Sequence, residues 1–268
     1  IQVLRDNNIG VALMGETFMR SPNKVEKLTY LYGPTYYTPK VKMCGISNVE
    51  TIPAIIDAKP DYMGLVFAPS KRQVTVEQAK TLVEELHKQY AIRYNSRTEH
   101  TAVLPSLEPT NSETIKTVGV FVNETIENLL KIAEEVKLDV IQLHGDEDES
   151  FIQILKEQSN VEVWKAVQVR SAADAEKWID SSADMLLFDA YHKDERGGTG
   201  EVFDWSSLDE FERPFMLAGG IDSTNVARAT RTVRPYGLDI SSGIETNGVK
   251  DNEKMKAFTN IVRTVALS

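Results

Sequence analysis

Residues 214–243 read PFMLAGGIDSTNVARATRTVRPYGLDISSG. Four apolar or small residues lead into Gly219-Gly220, a helical pattern over 223–233 follows, and a second short run, GLDIS, ends in Ser242-Gly243. Short apolar runs of this kind, continuous rather than alternating, are expected of parallel strands covered by helices on the outside. A strand, a glycine-rich turn, a helix and a further strand make one βαβ unit, and the same unit recurs along most of the chain.

Working outward, candidate strands lie at 40–44 (KVKMC), 62–67 (YMGLVF), 117–122 (TVGVFV), 139–143 (DVIQL), 161–166 (VEVWKA), 184–189 (DMLLFD), 214–218 and 237–241. Helical patterns are expected at 76–88, 125–137, 148–158, 171–181, 223–233 and 251–265. In the first of these, Ala79, Leu82, Val83 and Leu86 share a stripe. Eight such units in about 230 residues fit a closed α/β barrel of the (β/α)8 or TIM type. An open doubly wound sheet fits the same pattern, and the two differ in whether the last strand pairs with the first. Residues 89–113 are polar and are expected to form an exposed insertion. Residues 1–38 contain a ninth strand-helix pattern, 9–14 and 22–32, for which a barrel of eight has no room. The expected division is therefore an N-terminal segment, 1–38, and a barrel domain, 39–268.

Composition narrows the function classes. The formal net charge is −10, and no Lys/Arg block forms a patch suited to a nucleic-acid backbone. No apolar run approaches the roughly 20 residues of a membrane span, and no secretory leader is visible. A cytoplasmic enzyme is expected. The single cysteine, Cys44, excludes an internal disulfide and a multi-thiolate metal site, and the four histidines show no ligand spacing. Neither a metal nor a cofactor is expected.

In a barrel, polar residues at the C-terminal ends of strands are functional candidates. Cys44 ends the first strand, although buried packing is the ordinary fate of a lone cysteine. Asp189 ends MLLFD, where a carboxylate after four apolar residues needs partners. Arg72, in SKRQV, could grip a carboxylate with two donors or simply be solvated. Gly219-Gly220 and Ser242-Gly243, at adjacent strand ends, suit a phosphate held by backbone amides. The GGTG run at 197–200 could fold over the same mouth.

Together KMCGIS (42–47), DYMGLVFAPSKRQV (61–74), VGVFVNET (118–125), DVIQLHGDE (139–147), LLFDAYHKDERGGTGEVFDW (186–205), LAGGIDSTNVARA (217–229) and DISSGIET (239–246) resemble phosphoribosylanthranilate isomerase of tryptophan biosynthesis. The resemblance is collinear from residue 39 to about 265. It implies Cys44 as general base, Asp189 as general acid and Arg72 on the anthranilate carboxylate. It further implies Gly219, Gly220, Ser242 and Gly243 on the phosphate, with Gln142, His144 and Asp239 in supporting positions. The implied substrate is a small phosphorylated anthranilate sugar, isomerised without a redox cofactor. The acid must hold its proton near neutrality and the thiol must lose its own, tuning that burial and nearby donors respectively favour. A related aminoaldose-phosphate isomerase would use two carboxylates, which Cys44 disfavours. A barrel without activity would have no reason to keep Cys44, Arg72 and Asp189 together. GVALMGETFMRSPN (10–23) resembles the last strand-helix unit of indole-3-glycerol-phosphate synthase. A fused or neighbouring synthase domain is the expected partner.

Overall fold

The structure, a computed structural model, describes residues 38–98, 114–190 and 205–265. The expected strand-helix unit within residues 1–38, the remainder of the insertion from 99 to 113 and the GGTG run at 197–200 fall outside the described residues.

Eight strands form the ring: β1 (Lys40–Cys44), β2 (Tyr62–Val66), β3 (Lys116–Phe121), β4 (Val140–Leu143), β5 (Glu162–Val169), β6 (Met185–Ala190), β7 (Phe215–Ala218) and β8 (Gly237–Ile240). Each is parallel to its neighbour, and β1 pairs with β8, Lys42 opposite Asp239. That last pairing decides between the two architectures: the sheet is a closed barrel. The helices are α1 (Ile52–Ala58), α2 (Val76–Thr98), α3 (Ile126–Val136), α4 (Glu149–Gln158), α5 (Ala172–Glu176), α6 (Val226–Val233) and α7 (Asn252–Thr264).

Strand alternation sorts the apolar residues into two cores. Val41, Met43, Met63, Leu65, Leu186 and Phe188 point outward and pack with helix residues such as Leu82, Ile132 and Phe258. Tyr62, Val118, Val140, Trp164, Ala166, Met185, Leu187, Met216 and Ala218 fill the inside. The Tyr62 and Trp164 rings meet edge to face, 4.8 Å between centroids, at the lower end of this inner core.

Three expectations need correction. The helix expected to stop at 88 runs to Thr98, so the first ten residues of the supposed loop are helical. QYAIRYNSRT contains no Gly or Pro, and Gln89 Nε2 donates to Glu85 Oε1 at 2.7 Å, so nothing breaks the hydrogen-bond ladder there. The helix expected at 171–181 ends at Glu176, and Trp178 and Ile179 continue it only as tight turns. Helix α1 was not anticipated. Asn48 accepts from Glu50 N ahead of it, Pro53 sits in its first turn, and Lys59 (φ 52°) closes it in the left-handed region.

Candidate active site

The mouth is built at the C-terminal ends of the strands, and Cys44 stands there on β1. Alternation puts it on the inner face with Lys42, and it is almost fully buried. Gly64, paired with it on β2, makes the room: a Cβ at Gly64 would lie 2.9 Å from Cys44 Sγ and 3.0 Å from its Cα. Gly45 follows with φ 78°, and a side chain there would collide with Arg72. Only glycine holds both the turn and the close approach.

Charge surrounds the thiol. Lys42 is fully buried; its Nζ donates to Asp239 Oδ2 at 2.8 Å. After β8 a 3-10 turn, Ser242–Ile244, leads into a hairpin of β9 (Glu245–Thr246) and β10 (Val249–Lys250). This hairpin returns Lys250 to the mouth, where Nζ donates to Ser241 O (2.9 Å) and Glu245 Oε1 (2.7 Å). Burial pushes the Cys44 thiol up; Lys42 pulls it down, Asp239 opposes that pull, and Lys250 helps it. The net direction is upward. Lys42 stays an ammonium because Asp239 and Cys44 together outweigh the cost of its burial.

Arg72 follows β2, on the same side of the mouth. Its Nε and Nη2 donate to Glu245 Oε1 and Oε2 at 2.7 and 2.8 Å, a two-pronged pair. Burial opposes ionisation of Glu245, but hydrogen bonds from Arg72 and Lys250 win and hold its carboxyl at about 2.

Asp189 is the penultimate residue of β6, three strands round the ring from β1 by way of β7 and β8. It shares the inner face with Met185 and Leu187. His144 Nε2 lies 3.5 Å from Asp189 Oδ2, and Gln142 Nε2 lies 3.0 Å from His144 Nδ1. Gln142, His144 and Asp189 therefore form one chain of contacts. Ala218, the neighbour of Asp189 on β7, and Gly64, the neighbour of Cys44, are both small.

Between these two clusters lie the glycine turns. Gly219 and Gly220 have φ of 85° and 61°, and Asn225 Nδ2 donates to Gly220 O at 2.7 Å. A side chain at Gly243 would strike Ile221 O and press on Asp222, so the two turns are in contact. Ser241 Oγ donates to Cys44 O at 3.2 Å, joining this side of the rim to the thiol's backbone.

The sequence-chosen residues thus gather into three groups: Cys44, Arg72 and Asp239; Gln142, His144 and Asp189; and the Gly219-Gly220 and Ser242-Gly243 turns. Reading the sequence missed Lys42, Glu245, Lys250 and Gly64. Lys42 had a signal, since a lysine two residues before Cys44 on a strand faces the same way. Glu245 and Lys250 had none, because their roles depend on a hairpin that no periodicity announces. A cleft of about 840 Å3 opens between the loops after β3 and β4, the strand β5 and the turns that follow α5, and His144 joins it to the Asp189 side of the mouth; Gln168, Lys165 and Trp178 also line it. Lys165 and Glu147 form a buried ion pair in it at 2.9 Å, and Glu147 also accepts from Asn123 N and Gly145 N. Among the described residues no helix is long and apolar enough to cross a membrane, and no His/Cys/Asp/Glu group could hold a metal ion.

Comparison with known proteins adds to this geometry. Residues 92–261 match the family described as N-(5'phosphoribosyl)anthranilate (PRA) isomerase. The N-(5'-phosphoribosyl)anthranilate isomerase of Thermoanaerobacter sp. (strain X514) is 44% identical over 84% of this chain and 98% of its own length. That of Endomicrobium trichonymphae is 40% identical over 85% of this chain and its whole length. The Thermotoga maritima phosphoribosyl anthranilate isomerase structure superposes with a TM-score of 0.67 at 33% identity, covering 84% of this chain and 98% of that one. A structure of phosphoribosyl anthranilate isomerase in complex with reduced 1-(o-carboxyphenylamino)-1-deoxyribulose 5-phosphate gives 0.65 at 30% identity, covering 84% and 98%. With its closed barrel and these relatives spanning nearly their full lengths, the chain belongs to the N-(5'-phosphoribosyl)anthranilate isomerase family.

Proposed function

We infer that the barrel isomerises N-(5-phosphoribosyl)anthranilate to 1-(2-carboxyphenylamino)-1-deoxyribulose 5-phosphate in tryptophan biosynthesis, with Cys44 as base and Asp189 as acid. The observation that carries the assignment of roles is the placement of the two groups. Both stand on the inner face at the C-terminal ends of strands, with the two glycine turns between them round the ring.

The chemistry is an Amadori rearrangement. Asp189, carrying a proton, gives it to the furanose ring oxygen while the anilino nitrogen pushes in its lone pair, and the ring opens to a Schiff base. Cys44, as thiolate, removes the proton on C2. The enolamine so formed takes a proton at C1 and loses one from the C2 hydroxyl, leaving the ketone. Hydrogen moves only within the substrate and between it and these two groups, so no redox cofactor takes part.

The remaining residues follow from their positions. Backbone amides of Gly219, Gly220, Ser242 and Gly243 hold the phosphate. Glu245 occupies the Nε edge of Arg72, so the anthranilate carboxylate meets the guanidinium at its other edge. Asp239 Oδ1 is buried without a hydrogen-bond partner among the described residues, which suits it to accept from a sugar hydroxyl. Gln142 orients His144, and His144 orients Asp189.

A coupled turnover assay tests the assignment. C44A and D189N each lose at least about 10² in kcat with unchanged circular dichroism, the ordinary worth of a placed proton-transfer group. R72A mainly raises KM. In the parent, kcat/KM climbs with pH beyond the ordinary thiol range, because the thiol is displaced upward. Full kcat in C44A or D189N strikes that residue from its role.

We also propose that the barrel is carried beside an indole-3-glycerol-phosphate synthase unit, and that both act in the cytoplasm. The support is GVALMGETFMRSPN at 10–23. The mass of the protein made in its own cells, with its distribution between soluble and membrane fractions, tests both statements.

A further inference from the structure

Burial works against the thiolate that the base at Cys44 requires, so something in the site must favour it. Five charged groups bear on the thiol or on its neighbours: Lys42 on β1, Asp239 on β8, Lys250 on β10, Arg72 after β2 and Glu245 on β9. Gly64, its neighbour on β2, brings no charge. Arg72 and Lys250 share the carboxylate of Glu245, which blunts both. Lys42 differs in being sealed completely inside the barrel, on the same face of the same strand as Cys44 and two residues below it.

The Lys42–Asp239 pair is also poorly explained by stability. Replacing a buried ion pair with apolar side chains is commonly neutral or favourable. Here, besides, one carboxylate oxygen is left without a partner among the described residues. Neighbouring inward positions on the other strands hold Tyr62, Val118 and Val140, so an apolar filling of this interior is available.

We propose that Lys42 is a positioning residue for the base: its ammonium, anchored by Asp239 directly beneath Cys44, is the resident cation that stabilises the thiolate. This rests on the reading of Cys44 as the base. The step is a simple ionisation. The S–H bond breaks, the electron pair stays on sulfur, the proton passes to water, and Lys42 keeps all its protons throughout.

Cys44 is the only cysteine in the chain, so any alkylation of a thiol reports on it alone. The experiment follows the rate of iodoacetamide alkylation against pH on the free protein, read by intact mass, alongside the pH profile of kcat/KM. In K42M, alkylation at a fixed pH falls at least about tenfold, an upward titration shift of about one unit or about 1.4 kcal/mol. The rise of kcat/KM with pH moves up by the same amount. K42R, which keeps the charge, stays close to the parent. Because K42M leaves Asp239 unpaired, the neutral pair K42M/D239N is measured beside it. It shifts in the same direction by less, since it also removes the opposing influence of Asp239. An alkylation profile unchanged in both K42M and K42M/D239N overturns the proposal, as does a K42R profile displaced as far as that of K42M. Retained turnover in C44A would instead overturn the base itself, and leaves the alkylation result standing on its own.

Discussion

Gly64→Ala tests the geometry of the mouth most directly, because the new methyl has nowhere to go. It would lie 2.9 Å from Cys44 Sγ, which can rotate away, and 3.0 Å from Cys44 Cα, which cannot. Ordinary carbon contacts begin near 3.5 Å, so β1 and β2 must separate by several tenths of an ångström at a point where Gly45 N and Ile46 N both donate to Gly64 O. Overpacking of this size costs about 1–3 kcal/mol. For a domain of this length that lowers Tm by about 2–12 °C. The thiol moves with its backbone, and a displacement approaching 1 Å at a reacting group costs about 10² in rate. Urea unfolding and initial-rate assays on purified G64A measure the two effects separately. Gly119→Ala is the control. It too is crowded, but against Leu138 and Phe121 in the outer core, so it loses stability and keeps kcat. The reasoning fails if G64A keeps the parent's kcat, or if G119A loses as much kcat as G64A.

Two further outcomes follow from the ion pairs. Glu245 titrates at about 2 in the folded protein against an ordinary 4.5, so its contribution to stability is complete above pH 4.5 and is lost as pH falls toward 2. E245Q should therefore show a flatter stability curve than the parent across that window; parallel curves from urea titrations at several pH values would contradict this. K165M strands the buried Glu147 carboxylate and should cost about 3–5 kcal/mol of stability. A variant as stable as its parent in urea would show that Asn123 N and Gly145 N satisfy Glu147 without the lysine.

The barrel was legible because each strand is a short apolar run bounded by Gly or polar residues. β1 starts and stops at the expected residues, and most other strand ends lie within a residue of expectation. Closure was not legible, since the β1–β8 pairing is a long-range fact that local patterns do not encode. Helix ends were read less well: α2 runs ten residues past its expected stop for want of a breaker, and α1 is too short to show a period. Within the candidate site, strand-end residues could be proposed by position, as Cys44 and Asp189 were, and the structure puts both at the C-terminal ends of strands. The electrostatic frame could not. Arg72 was read as awaiting a substrate carboxylate, and Glu245 already occupies one of its edges. The charge on Glu245 and Lys250 is delivered by a turn, Asn247-Gly248, whose φ values of 53° and 79° are a local backbone matter.

That hairpin has a mechanical consequence. A ring made from one chain has a single seam, where its first and last strands meet, and here the seam is spanned twice. Below, β1 and β8 share their ladder; above, the segment just after β8 reaches over β1 and grips Arg72 beyond β2. The lower stitch adds the sealed Lys42–Asp239 pair to its ladder, while the upper hangs on Glu245 between Arg72 and Lys250, so acid strong enough to protonate Glu245 should loosen the top of the joint. Cutting the chain elsewhere and joining its old ends would leave both stitches intact, whereas new ends placed at Asn247-Gly248 would sever the upper one.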